Sequence, residues 1–87
     1  MTYRVELTRR ARRSLCEELP EVVAAACWEF IRGPLAENPQ RVGKRLRDEL
    51  ADRWSARRGE FRVVYEFHED VVVVRGIDVR HRRDVYR

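Results

Sequence analysis

At 87 residues the chain fits one domain with one core, which excludes a multidomain enzyme. Hydrophobic residues make up 44% and charged residues 39%, enough for a thin core under a heavily ionised surface and too apolar for a disordered chain. The net charge is +4, and Lys44 is the only lysine among 19 basic residues. Guanidinium is planar, permanently charged and able to grip phosphate oxygens in pairs, so this surface suits a polyanion.

Tyr3, Val5 and Leu7 alternate with Arg4 and Glu6, the period of a strand with one buried face. Thr8 is placed to cap a helix over about residues 9–19, in which Ala11, Leu15 and Leu19 form one stripe. Pro20 ends that helix and suits the first turn of a second, over about 21–32, striped by Val23, Ala26, Cys27, Phe30 and Ile31. Gly33-Pro34 and Asn38-Pro39 mark 33–45 as a partly helical connector that delivers Leu46 and Leu50 to the core. A strand follows over 52–57. A turn at Gly59-Glu60 leads to Phe61, Val63, Tyr65 and Phe67, which alternate with Arg62, Val64, Glu66 and His68. After a second turn at Glu69-Asp70, residues 71–79 are apolar on both faces and read as a strand inside the sheet.

These elements predict an α+β fold over 1–87. It is a small antiparallel sheet, mostly a meander, with an N-terminal helical hairpin packed on one face. The other face is left open. Cys16 and Cys27 lie on predicted helices and read as buried free thiols. The two Cys and two His, at 16, 27, 68 and 81, match no metal-ligand spacing, so neither a metal nor another cofactor is expected. The opening MTYRVELTRR has no apolar core of a signal peptide and no stretch approaches the ~20 apolar residues of a span, so a cytoplasmic protein without membrane contact is expected.

Residues 1–52 carry ten basic and nine acidic groups, whereas 53–87 carry nine and six, so the excess lies toward the C-terminus. Side chains alternate along a strand, which puts Arg53, Ser55 and Arg57 opposite Trp54 and Ala56. A hairpin at Gly59 would bring Arg62 onto the same open face. Like charges side by side on a sheet are unfavourable, a cost that an anionic ligand offsets. The chain then closes with Arg80, His81, Arg82, Arg83 and Tyr86. Cutting RNA through its own 2′-hydroxyl requires a base, donors for the crowded phosphate and an acid for the leaving 5′-oxygen, and Tyr, Arg and His supply all three. Neighbouring guanidiniums would favour the phenolate of Tyr86 and so lower its pKa from the ordinary value of about 10.

The opening YRVELTRRARRSL, the connector GPLAENPQRVGKRLRDEL, the segment WSARRGEFRVVYEF and the ending VRHRRDVYR together resemble the RelE/ParE superfamily of bacterial toxins, its RelE-type branch in particular. That resemblance implies a metal-independent endoribonuclease that cuts translated mRNA on the ribosome. It also implies silencing by a RelB-like antitoxin in a heterodimer or heterotetramer, with DNA touched only through the antitoxin. By position, Arg62 resembles the phosphate-stabilising residue, Arg82 or Arg83 the proton donor to the leaving group, and Tyr86 the C-terminal base, with His81 able to share the acid–base work. Arg53, Ser55, Arg57, Arg58 and Arg80 form the expected RNA-binding set, which would also meet ribosomal RNA. Ribosome-dependent relatives carry two lysines on the strand before the turn, where this chain has Arg53 and Ser55, so one cation is missing there. A toxin of the same fold that poisons DNA gyrase, and a non-catalytic RNA-binding module, remain open as alternatives.

Overall fold

The computed structural model describes residues 2–46 and 53–79. The described chain contains β1 (Arg4–Leu7), α1 (Arg9–Arg13), α2 (Glu21–Phe30), α3 (Pro39–Val42), β2 (Lys44–Arg45), β3 (Trp54–Arg58), β4 (Phe61–His68) and β5 (Val71–Val79). Thr8 caps α1 as its spacing predicts, its hydroxyl accepting from the Ala11 amide at 3.2 Å. Helices α1 and α2 each widen at their C-terminal end into a π turn, over Ser14–Glu18 and Ile31–Leu35. The first closes with the Leu19 amide on the Ser14 carbonyl at 3.0 Å, and the second contains Pro34, which has no N–H for an α-helical bond.

The strands form one sheet in the order β1-β5-β4-β3-β2. From β2 to β5 it is the expected antiparallel meander. The exception is β1, which pairs parallel with β5, Arg4 beside Val71 through Leu7 beside Val74. The sheet is therefore mixed, and β5 lies inside it. The two strands start side by side, with the Arg4 amide on the Asp70 carbonyl at 2.7 Å.

The core lies between the helices and one sheet face. Ala11, Cys27, Phe30, Ile31 and Leu35 meet Ala56, Phe61, Val63, Tyr65, Val72, Val74 and Ile77. Three described positions differ from the predicted core, Cys16, Ala26 and Leu46. Cys16 is exposed, because the buried stripe of the first helix runs through Ala11 and Ser14 instead. Ala26 is also exposed, since Cys27 and Phe30 take the inward positions of α2. Burial pushes the Cys27 thiol up to about 11, which keeps it protonated and unreactive at neutral pH. Leu46 is half-buried outside the core cluster, while Leu35, Ala36 and Pro39 supply the buried contacts of the connector. Leu50 lies outside the described residues.

One buried hydrogen bond fastens this connector to the sheet. The Tyr65 hydroxyl donates to the Pro39 carbonyl at 2.6 Å, and burial pushes the Tyr65 phenol up to about 12, so it remains a donor at any physiological pH. Gly43 follows α3 at the point of closest approach. A Cβ there would collide with the Tyr65 hydroxyl and come within 2.8 Å of the Ser55 carbonyl oxygen. A residue without a side chain is therefore required for the strap to lie flat and for Lys44 and Arg45 to pair with Ser55 and Trp54.

Candidate nucleic-acid interface

The sheet face opposite the helices carries the predicted cations. In β4, Phe61, Val63 and Tyr65 face the core, so Arg62 projects to the open side, where it is exposed. The Gly59-Glu60 turn, with Gly59 at φ 58°, sets Arg57 directly beside Arg62 in the β3–β4 register. Arg62 in turn faces Asp78 on β5, and its guanidinium lies 3.4 Å from the Asp78 carboxylate.

A groove of about 450 Å³ runs across this corner, lined by Arg41, Val42, Gly43, Lys44, Ser55, Arg57 and Arg62. Ser55, Arg57 and Arg62 thus meet as the strand alternation predicts. Arg41 and Lys44 are the residues that sequence reasoning missed. They arrive from the strap, and Lys44 sits opposite Ser55 in the β2–β3 register. Lys44 thereby brings an ammonium to the groove beside Ser55. Its only sequence signal is the lone lysine one residue after a glycine.

The other predicted residues divide. Arg53 stands before β3 and is half-buried, with its carbonyl accepting from the Leu46 amide at 2.8 Å, and it does not line the groove. Arg58 turns to the helical side, its guanidinium 5.1 Å from the centroid of the Phe30 ring, a cation–π contact. Arg80, His81, Arg82, Arg83 and Tyr86 lie outside the described residues.

Farther along the same face, Glu66 accepts from Arg75 at 2.8 Å and from His68 Nε2 at 3.0 Å. Partial burial pulls the Glu66 carboxyl upward, but the hydrogen bonds and charges of His68 and Arg75 outweigh it and leave the group below its ordinary value. A carboxylate with a depressed folded pKa contributes stability that is full above its unfolded pKa, about 4.3, and is lost as pH falls through the folded value. The melting-temperature gap between wild type and Glu66→Gln is therefore expected to be largest near neutrality and to shrink below about pH 4. A gap independent of pH between 3 and 7 would contradict the ion-pair account.

Asp78 partly neutralises Arg62, yet both side chains are about half exposed, at 58% and 46%. Such a pair is weak and readily exchanged for another anion. If the groove takes single-stranded RNA, Asp78→Asn is expected to tighten that binding about 1.5- to 5-fold in a fluorescence-anisotropy titration, corresponding to an exposed pair of roughly 0.2–1 kcal/mol. Weaker binding would mean that Asp78 orients Arg62 rather than competing for it.

The family model described as ParE toxin of type II toxin–antitoxin system, parDE, matches residues 5–86. The chain belongs to the RelE/ParE family of toxins. It is 47% identical to Toxin RelE of Mycobacterium tuberculosis over 85 residues, 98% of this chain and 87% of that protein. Toxin RelG of the same organism is 46% identical over 87 residues, covering 100% of this chain and 99% of that one. Among solved structures, the toxin–antitoxin complex RelBE2 from M. tuberculosis matches with a TM-score of 0.88 at 44% identity, covering 92% of this chain and 100% of that one. The archaeal RelE–RelB complex from Pyrococcus horikoshii matches with a TM-score of 0.67 at 25% identity, over 94% and 99% of the two chains. The RelE-like α+β fold is thus common to this chain and both neighbours.

Proposed function

We propose that this chain is the toxin of a type II pair and acts as a ribosome-dependent endoribonuclease on translated mRNA. The observation that carries the reading is the convergence of Arg41, Lys44, Arg57 and Arg62 on one groove of the open face. Four cations along one groove suit the phosphates of a single strand. In the reaction, the 2′-oxygen of one nucleotide attacks the adjacent phosphorus and the P–O5′ bond breaks, leaving a 2′,3′-cyclic phosphate and a 5′-hydroxyl end. Arg62 stabilises the charge that builds on the non-bridging oxygens. Tyr86 takes the 2′-hydroxyl proton, and Arg82 or Arg83, with His81, returns one to the 5′-oxygen. None of these steps calls on a metal.

Two of the similar structures are RelB–RelE toxin–antitoxin complexes, which supports a RelB-like antitoxin as partner of this chain, in a heterodimer or heterotetramer. The ribosome as target makes the proposed site of action cytoplasmic; no described helix is long and apolar enough to cross a membrane.

The ParE description of the matching family favours a second reading, poisoning of DNA gyrase. Brief induction separates the two. Growth arrest with falling protein synthesis, abolished by Arg62→Ala and relieved by co-expression of a RelB-like antitoxin, is expected for the nuclease. Arrest with trapped gyrase–DNA cleavage complexes and undisturbed protein synthesis would replace it with the gyrase reading.

A further inference from the structure

The geometry points to a nucleobase seat on the open face, floored by Val64 and Gly76 and walled by the guanidinium of Arg75. The inference rests on the RNA reading above and assigns one contact within it. The β4–β5 ladder shifts register between Val64 and Tyr65, so that Val64 pairs with Gly76 and Tyr65 with Val74, leaving Arg75 as the extra residue of a bulge. Bulges commonly re-aim a side chain next to a functional site. Here the re-aimed Arg75 is clamped by Glu66 at 2.8 Å, and Glu66 is itself held by His68.

That ion pair satisfies much of the guanidinium's charge, while the Arg75 side chain remains 38% exposed. A paired, planar guanidinium presents a face for stacking rather than a free charge for phosphate. Beside it, Gly76 interrupts a strand otherwise rich in valine. Among the described residues nothing lies within 4 Å of where a Cβ at Gly76 would stand. Glycine inside a strand costs stability and often marks close approach by a ligand. The floor joins the cationic groove without interruption, because Val64 pairs with Gly76 on one side and with Ser55, a groove residue, on the other. A strand whose phosphates follow Lys44, Arg57 and Arg62 would lay a neighbouring base over Val64 and Gly76 against Arg75.

The test uses fluorescent 2′-O-methylated oligonucleotides, which lack the attacking hydroxyl, in adenine-bearing and abasic forms of equal length. Wild type is expected to bind the adenine strand about tenfold more tightly than the abasic one. Gly76→Val, which fills the floor, and Arg75→Lys, which keeps the charge but loses the plane, are each expected to reduce that preference to near unity with abasic affinity unchanged. Gly76→Val is also expected to melt no lower than wild type, so lost preference cannot be assigned to unfolding. Absence of a preference in wild type, or its survival in both variants, would overturn the seat. Equal abasic affinity of wild type and Arg62→Ala would instead remove the phosphate groove on which the seat depends.

Discussion

Cleavage of ribosome-bound mRNA by the Arg62→Ala variant is expected to fall about 10²–10³-fold, the usual effect of removing one donor from a developing oxyanion. The ground for this size is position. Arg62 stands on an interior strand, beside Arg57 and facing Asp78, so its guanidinium reaches the groove from a backbone paired on both sides. Its loss should leave the fold intact. The only partner described for its side chain is Asp78, and that half-exposed pair contributes no more than about 1 kcal/mol. A single-turnover assay on programmed ribosomes, with a thermal melt beside it, separates chemistry from stability. A variant that cuts at the wild-type rate would show that Arg62 does not meet the reacting phosphate.

Gly43→Val is expected to be the most damaging change outside the reaction chemistry, costing roughly 2–5 kcal/mol. The added side chain would displace the Tyr65 hydroxyl and strike the Ser55 carbonyl, so both the buried bond to Pro39 and the β2–β3 pairing would be lost. For a domain of this size, with total stability of about 4–13 kcal/mol, that is a large fraction. The functional cost follows from the same contact. Arg41 lies two residues before Gly43 and Lys44 directly after it, and a lifted strap withdraws both cations from the groove. Urea denaturation should show a lower midpoint, and RNA titrations below that midpoint should show a shallower salt dependence. Wild-type stability in the variant would mean that the strap relaxes without strain.

The parts of this architecture legible in the sequence are those set by local periodicity. Alternation from Phe61 to Phe67 placed Arg62 on the open face, and a two-residue turn at Gly59-Glu60 forced Arg57 beside it. Thr8 announced α1 because a hydroxyl before a helical stripe answers free amides. What escaped depends on contacts between distant residues. The two residues of β2 are too few to show a period, and Lys44 joins the site only because Tyr65 and Gly43 hold the strap against β3. The parallel pairing of β1 and the bulge at Arg75 likewise come from how strands meet, not from either strand alone. Residue type alone reads Cys16 as buried, and a wide stripe reads Ala26 as inward, whereas short helices that end in π turns leave both exposed.

The most direct test of the central claim is primer extension on a defined mRNA after brief induction of wild type, Arg62→Ala and Tyr86→Phe. Cuts at codon-phased positions in wild type that vanish in both variants are the predicted result. Growth arrest by wild type without any mRNA cuts would contradict the account.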